Sequence, residues 1–243
     1  MSDHVTSDLV TVVIPSYNRF KFVLNTIESV KNQTYKNIEI IVVNDCSTEK
    51  EYYEYDWNGV KIIHLPQNSK QIFGFACASH VRNKGIEQSK GKYVAFCDDD
   101  DIWFPNKIEL QVNAMKRTGC KMSSTDGFIG NGPYNSNVSY KKFNAEFGFD
   151  YITNKFKQHN SNLFDNGFPE IFNKEFMTIN NSMISCSVIF EKEILDKINN
   201  FRCIRPPGED YDCWLRGLDH TNSVYIKDVC IYYDDSHGYG RNY

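Results

Sequence analysis

Four consecutive aspartates, Asp98-Asp99-Asp100-Asp101, follow directly on an apolar run, Tyr93-Val94-Ala95-Phe96-Cys97. Adjacent carboxylates repel, and burial without a counter-cation raises the cost. Such a run at the mouth of a core strand is suited to holding positive charge. All-oxygen donors favour a hard divalent ion, Mg2+ or Mn2+, which keeps some water and shares its remaining positions with substrate phosphates. The alternative is a solvated acidic turn. The strand before and the helix after favour binding, because open α/β sheets take ligands beyond the carboxyl ends of their strands. Two further polar stretches end apolar runs, Pro15-Ser16-Tyr17-Asn18-Arg19 and Asn44-Asp45-Cys46-Ser47-Thr48. Tyr17 can stack on a base. Asp45 can accept hydrogen bonds from a base or ribose, or it can close an Asx turn or cap a helix. Glu209-Asp210 opens a helical pattern, so this pair serves either as an acid–base group or as a cap complementing the helix dipole. The sequence has no G-x-x-x-x-G-K-[ST] and no G-x-G-x-x-G. Any phosphate must therefore be held by a metal and basic side chains.

The elements that position these residues alternate through the first half. Leu9 to Ile14, Ile38 to Val43, Val60 to Leu65 and Lys92 to Cys97 read as strands. Their continuous β-branched runs are those of strands buried on both faces. Asn18 is a candidate N-cap for a helix carrying Phe20, Val23, Leu24, Ile27 and Val30. Phe75 to Gln88 reads as a second helix. Pro105 suits the first turn of a third, which carries Ile108, Leu110, Val112 and Met115. In the second half, Met122 to Gly127 and Ile184 to Phe190 read as strands, Glu191 to Ile198 and Asp210 to Leu218 as helices. Val224 to Ile226 and Val229 to Tyr233 read as closing strands. From Asn131 to about Glu175 the pattern is irregular and rich in aromatics, among them Phe143, Phe147, Phe149, Tyr151 and Phe156. These can stack on sugar rings or pack a core or lid. The expected architecture is α/β, a mostly parallel sheet with helices on both faces. One domain spanning 1–243 is expected, with a nucleotide-handling half over about 8–120 and an acceptor-handling half over about 121–243.

Composition excludes several classes. The chain has 243 residues, 27 basic and 31 acidic, for a formal charge of -4. That gives no footprint for nucleic acid. No apolar run approaches the roughly 18 residues of a membrane span, and the polar N-terminus lacks a signal-peptide pattern. Eight cysteines stand without a C-x-x-C pair, which points to a reduced, cytoplasmic protein without a structural zinc site.

Taken in order, these segments resemble the family 2 glycosyltransferases with the GT-A fold. The resemblance rests on Val12-Val13-Ile14-Pro15-Ser16-Tyr17-Asn18-Arg19, Ile41-Val42-Val43-Asn44-Asp45-Cys46-Ser47, Arg82-Asn83-Lys84-Gly85, the Tyr93 to Trp103 segment with its aspartates, and Gly208-Glu209-Asp210-Tyr211-Asp212-Cys213-Trp214. It implies an inverting, metal-assisted transfer from a nucleotide-diphosphate sugar, UDP-linked first of all, to an acceptor hydroxyl on a glycan, lipid-linked or protein acceptor. By the same match Asp98, Asp99 and Asp100 form the D-x-D motif, with Asp98 near the ribose and Asp100 on Mn2+ or Mg2+. The metal register among Asp99, Asp100 and Asp101 stays open. Pro15, Tyr17, Arg19 and Asp45 would line the nucleoside pocket, and Arg82 would lie near the phosphates. Glu209-Asp210 matches the motif whose aspartate is the catalytic base. His237 is either a further metal ligand or merely exposed, and Arg241 is a candidate cation for the leaving diphosphate. The two glycines around them suit a loop that closes over the donor. Two other readings remain, a nucleotidyltransferase and a non-catalytic nucleotide-sugar-binding module. The first lacks its Gly-rich loop, since Ser16 to Phe20 holds no glycine. A homo-oligomer is compatible with the sequence, which does not specify the assembly.

Overall fold

A computed structural model describes residues 7–236. The described elements of the first half are β1 (Val10–Ser16), α1 (Phe20–Lys31), β2 (Ile38–Asn44), α2 (Glu51–Glu54), β3 (Lys61–His64), α3 (Ser69–Phe73), α4 (Ala78–Glu87), β4 (Tyr93–Phe96), β5 (Ile102–Trp103) and α5 (Lys107–Thr118). Those of the second are β6 (Met122–Gly130), β7 (Lys141–Lys142), a π-helical turn (Phe143–Phe147), α6 (Phe149–Gln158), β8 (Ile171–Phe172), α7 (Lys174–Ile179), a 3-10 turn (Ser185–Ser187), β9 (Ile189–Glu191), α8 (Lys192–Lys197), α9 (Glu209–Gly217) and β10 (Ser223–Asp234).

The strands form one sheet in the order β3-β2-β1-β4-β9-β6-β10-β5, with β7 beside β6 and β8 beside β10. The β1, β2, β3 and β4 pairings are parallel, as is β6 with β10. Every antiparallel pairing involves one of the short strands β5, β7, β8 or β9. Alternation divides the core as the pleat requires. Val10, Val12, Ile14, Ile40 and Val42 pack against Val23, Ile27 and Val30 of α1 and Ile108, Val112 and Met115 of α5. Val13, Ile41, Val43, Val94 and Phe96 face the other way, towards Val81 and Ile86 of α4 and Trp214 of α9. Gly85 permits the close seat of α4, because a Cβ there would stand 2.3 Å from Val13 Cγ1.

The structure revises four local expectations. Asn18 does not cap α1. It takes a left-handed φ of 49°, and its Oδ1 accepts from Thr48 N at 2.7 Å, tying two loops together. Glu49 instead accepts from Phe20 N at 2.9 Å, so the free amide of the helix start is met from a distant segment. Ile184 to Phe190 is not one strand but the 3-10 turn followed by β9. The two closing strands are one, β10, whose register against β6 is irregular between Ile226 and Ile231. The irregular stretch contains α6, whose Ile152 and Phe156 are buried against Phe164 and Phe176. All eight cysteines are free. Among the described residues no helix is long and apolar enough to cross a membrane.

Candidate functional site

β9 runs antiparallel to both β4 and β6. The carboxyl ends of β1, β4, β6 and β10 and the amino end of β9 therefore open on one edge of the sheet. A cleft of about 440 Å³ lies there, lined among others by Pro15, Tyr17, Arg19, Arg82, Asp98, Asp99, Asp100, Ser185, Glu209, Asp210, Tyr233 and Asp235. Residues from Pro15 to Asp235, near opposite ends of the described chain, thus meet.

Thr26 fixes the acidic turn. Its hydroxyl donates to the carbonyls of Asp99 and Asp101 at 3.0 and 2.9 Å. Asp101 is fully buried below the cleft and accepts from Asp234 N at 3.0 Å. Burial and Asp100 push its carboxyl well above the ordinary range. It therefore holds the turn rather than facing a ligand. Asp98, Asp99 and Asp100 line the cleft and meet two arginines. Arg19 Nη1 lies 3.0 Å from Asp99 and 2.9 Å from Asp100, and Arg82 Nη2 lies 2.6 Å from Asp98. Burial, then the charge of Asp99, pushes Asp100 up to about 8 despite Arg19. Burial opposes the Arg82 charge, but Asp98 and Glu209 hold its guanidinium above its usual range. Burial and mutual repulsion thus push the carboxyls of this turn upward despite two arginines, so the turn favours added positive charge.

Gly208 turns the chain into α9 with a φ of 110°, a conformation costly for any residue with a Cβ. Glu209 and Asp210 then form the first turn. The Asp210 carboxylate accepts from Tyr211 N at 2.6 Å through Oδ1 and from the Ser185 hydroxyl through Oδ2. Ser185 comes from the turn that feeds β9, which sits in the sheet between β4 and β6. Asp210 is thereby held between the acidic wall and the far wall of the cleft. Burial pushes the Glu209 carboxyl up, and Arg82 pulls it back. The far wall carries Ile129, Phe143, Phe147, Tyr233 and Asp235.

Of the residues singled out in the sequence, Pro15, Tyr17, Arg19, Arg82, Asp98, Asp99, Asp100, Glu209 and Asp210 line this cleft. Asp45 does not. It is 0% exposed, and its Oδ1 and Oδ2 accept from Ser69 N and Ser69 Oγ at 2.8 and 2.6 Å. It thus secures the start of α3 behind the cleft. His237 and Arg241, with the loop expected to close over the donor, lie outside the described residues. Among the described residues no three His, Cys, Asp or Glu side chains form a ready ligand set. Asp98 and Asp100 nonetheless present hard oxygen donors in a turn that favours added positive charge. That fits the magnesium and manganese habit of one or two protein carboxylates plus phosphates and water.

Sequence reasoning missed Ser185, Asp234 and Asp235. Asp234-Asp235 repeats the signal that exposed Asp98, acidic residues directly after an apolar strand. Ser185 carries no signal of its own, because its partner lies 25 residues away.

The model of Glycosyl transferase family 2 matches residues 11–178 and ends before α9. The putative teichuronic acid biosynthesis glycosyltransferase TuaG of Bacillus subtilis is 38% identical over 122 residues, covering 48% of this chain and 46% of TuaG. An uncharacterized glycosyltransferase of Rickettsia prowazekii is 28% identical over 231 residues, covering 95% of this chain and 65% of the relative. The chain thus spans a little under half of one of these relatives and just under two thirds of the other. Among solved structures, S. aureus TarS 1-349 aligns with a TM-score of 0.67 at 18% identity, covering 93% of this chain and 60% of that one. The TarS 1-349 complex with UDP aligns with a TM-score of 0.64 at 18% identity, covering 94% and 61%. At this identity the likeness shows the GT-A fold.

Proposed function

From a chain that belongs to glycosyl transferase family 2, we propose an enzyme that moves a sugar from a nucleotide-diphosphate sugar to an acceptor hydroxyl with inversion. UDP is the nucleotide proposed, because the structural relative TarS is described in complex with UDP and with UDP-GlcNAc. One observation carries the reading. An acidic turn with two arginines and a separately held carboxylate, Asp210, line one cleft at the carboxyl edge of the sheet.

Tyr17 and Pro15 serve as the surface for the base, and Asp98 and Asp99 approach the ribose. Arg19 and Arg82 are the cationic side chains of the cleft among the described residues, and they counter the diphosphate. Asp100 would hold Mn2+ or Mg2+, which when bound supplies positive charge against the leaving diphosphate. Asp210 accepts the proton of the acceptor hydroxyl as that oxygen attacks the anomeric carbon from the face opposite the diphosphate. The bond to the diphosphate oxygen breaks as the new bond forms, which inverts the centre. Ser185 and Tyr211 N fix the orientation of the Asp210 carboxylate. A base so placed contributes about 10²–10⁴-fold. Holding donor and acceptor in line supplies much of the rest.

Thermal-shift screening of UDP-, GDP- and dTDP-sugars with and without manganese tests this, together with release of the nucleoside diphosphate. A manganese-dependent rise in Tm with a UDP-sugar, and UDP release, is expected. No shift with any nucleotide sugar, with no release, overturns it.

A further inference from the structure

The far wall of the cleft is aromatic: Phe143 and Tyr233 are partly buried against the core and still line the cleft, and Phe147 stands clear of the core. Phe147 is 60% exposed, yet it lines the same cleft as Asp210. Phe143 stands beside it, with ring centroids 6.1 Å apart, and packs edge-on against Tyr233 at 5.9 Å. The other aromatics of this stretch are used elsewhere. Phe156 is in the core, Phe149 packs on Phe164 and Phe168, and Tyr151, equally exposed, has the Lys155 ammonium 5.5 Å over its ring and does not line the cleft.

The backbone that carries Phe143 and Phe147 is rigidly built. It is a π-helical turn closed by Gly148 N donating to Phe143 O at 2.8 Å. The buried Asp126 carboxylate accepts from Asn144 N at 2.9 Å and Ala145 N at 3.2 Å. The Asn144 side chain donates to Ser182 O at 3.0 Å. Turns of this kind are uncommon and concentrate at functional sites. A buried carboxylate that accepts from backbone amides of this turn fixes the angle at which one partly buried ring, Phe143, and one exposed ring, Phe147, meet the cleft.

Two polar side chains share this cleft and keep hydrogen-bonding capacity. Among the described residues the Asp235 carboxylate has no partner, and Asn181 spends Oδ1 on Met183 N at 3.2 Å while its amide donors remain. A hydrocarbon chain laid here would strip water from Asp235 without return. A pyranose ring suits both features. Its axial C–H face carries partial positive charge and meets the negative face of an aromatic ring, and its equatorial hydroxyls reach carboxylate and amide.

We propose that Phe143, Phe147 and Tyr233 form an acceptor subsite for a pyranose ring, with Asp235 and Asn181 bonding its hydroxyls, so that the acceptor is a carbohydrate. This rests on the glycosyltransferase reading and identifies the acceptor class within it.

Saturation-transfer NMR on the full chain tests it, with methyl β-D-glucopyranoside and chitotetraose as sugar probes and decyl phosphate as the lipid probe. Each is measured with and without UDP and manganese. Saturation of sugar ring protons by aromatic protons is expected. Phe147→Ala should weaken the sugar affinity by roughly tenfold, an effect of the size one ring contact carries. Phe147→Trp should restore it, and Tyr151→Ala should leave it unchanged. Equal sugar affinity in Phe147→Ala, equal loss in Tyr151→Ala, or saturation of decyl phosphate alone overturns the proposal. Affinity for UDP, GDP and dTDP is read on the same samples. Retained nucleotide binding with no sugar signal defeats the subsite alone, whereas failure of UDP, GDP and dTDP all to bind defeats the glycosyltransferase reading.

Discussion

Asp210 and Asp212 sit two residues apart in the first turn of α9 and carry the same charge, yet the proposed mechanism gives them opposite consequences. Asp210 lines the cleft. Asp212 faces Arg216, with Oδ2 2.8 Å from Nε, and Arg202, with Oδ1 3.2 Å from Nη1. Asn at either position is nearly isosteric and still accepts hydrogen bonds. Both substitutions forfeit the helix-dipole interaction, about 0.3–1 kcal/mol. Asp210→Asn also exchanges charge-assisted hydrogen bonds from Tyr211 N and Ser185 for neutral ones and loses its attraction to Arg82, which relief of repulsion with Glu209 offsets. Asp212→Asn further loses its two arginine pairs, about 0.3–1 kcal/mol at this exposure. The ordering reverses for turnover. Without its proton acceptor, Asp210→Asn should lose about 10²–10⁴-fold in kcat, roughly 3–5 kcal/mol of transition-state stabilisation. Asp212→Asn should stay within about twofold of wild type. The assay is UDP release under saturating donor, alongside urea unfolding of each variant. If Asp210 were only a cap, its variant would track Asp212→Asn in both measurements. Near-normal turnover of Asp210→Asn, or an equal loss in both variants, refutes the reasoning.

Three further outcomes follow from particular contacts. Asp100→Asn should leave the Tm of the metal-free protein at pH 7 within about 2 °C of wild type, because a carboxyl pushed up to about 8 is already largely protonated there, while abolishing the manganese-dependent shift with UDP. An unchanged manganese response would remove Asp100 from the metal site. Lys107 is fully buried, with Nζ 2.7 Å from Gln111 Oε1 and 3.8 Å above the Trp103 ring, and burial lowers it to about 8. Below pH 8 it is charged in both folded and unfolded states and the burial cost is fully present. Between pH 8 and its ordinary 10.5 the folded state releases the proton first, so wild type gains stability with rising pH. Its stability relative to Lys107→Met should rise by on the order of 2 kcal/mol across that window. A flat difference in urea unfolding would contradict this. Gly208→Ala forces a Cβ residue to a φ of 110° and should cost about 1–3 kcal/mol. It should also depress kcat more than UDP affinity, because the turn aims Asp210, and a silent substitution would show that the turn is tolerant.

Much of this protein was written locally. The β-branched runs of β1, β2 and β4 declare strands buried on both faces, and the acidic run after β4 declares its place at a carboxyl end, because both signals lie within about ten residues. Helical spacing in α1 and α5 was equally plain. What stayed hidden depended on partners distant in sequence. Asn18 has the chemistry of a cap, but Thr48 claims its side chain, and Glu49 takes over the helix start. Asp45 reads as a ligand residue until Ser69 takes both its oxygens. Asp101 is chemically identical to Asp100, and only the sheet, through Asp234 N, buries one and leaves the other at the cleft. The aromatic stretch shows no useful period, because its rings divide between the core and the wall according to where Asp126 anchors one turn. The sequence by itself determined the strands, the helices and the acidic mouth, since hydrophobic period and adjacent charge are properties of neighbours. Only the tertiary structure decided which carboxylates face the cleft and which rings stand open beside them, since burial is set by segments the local sequence does not contain.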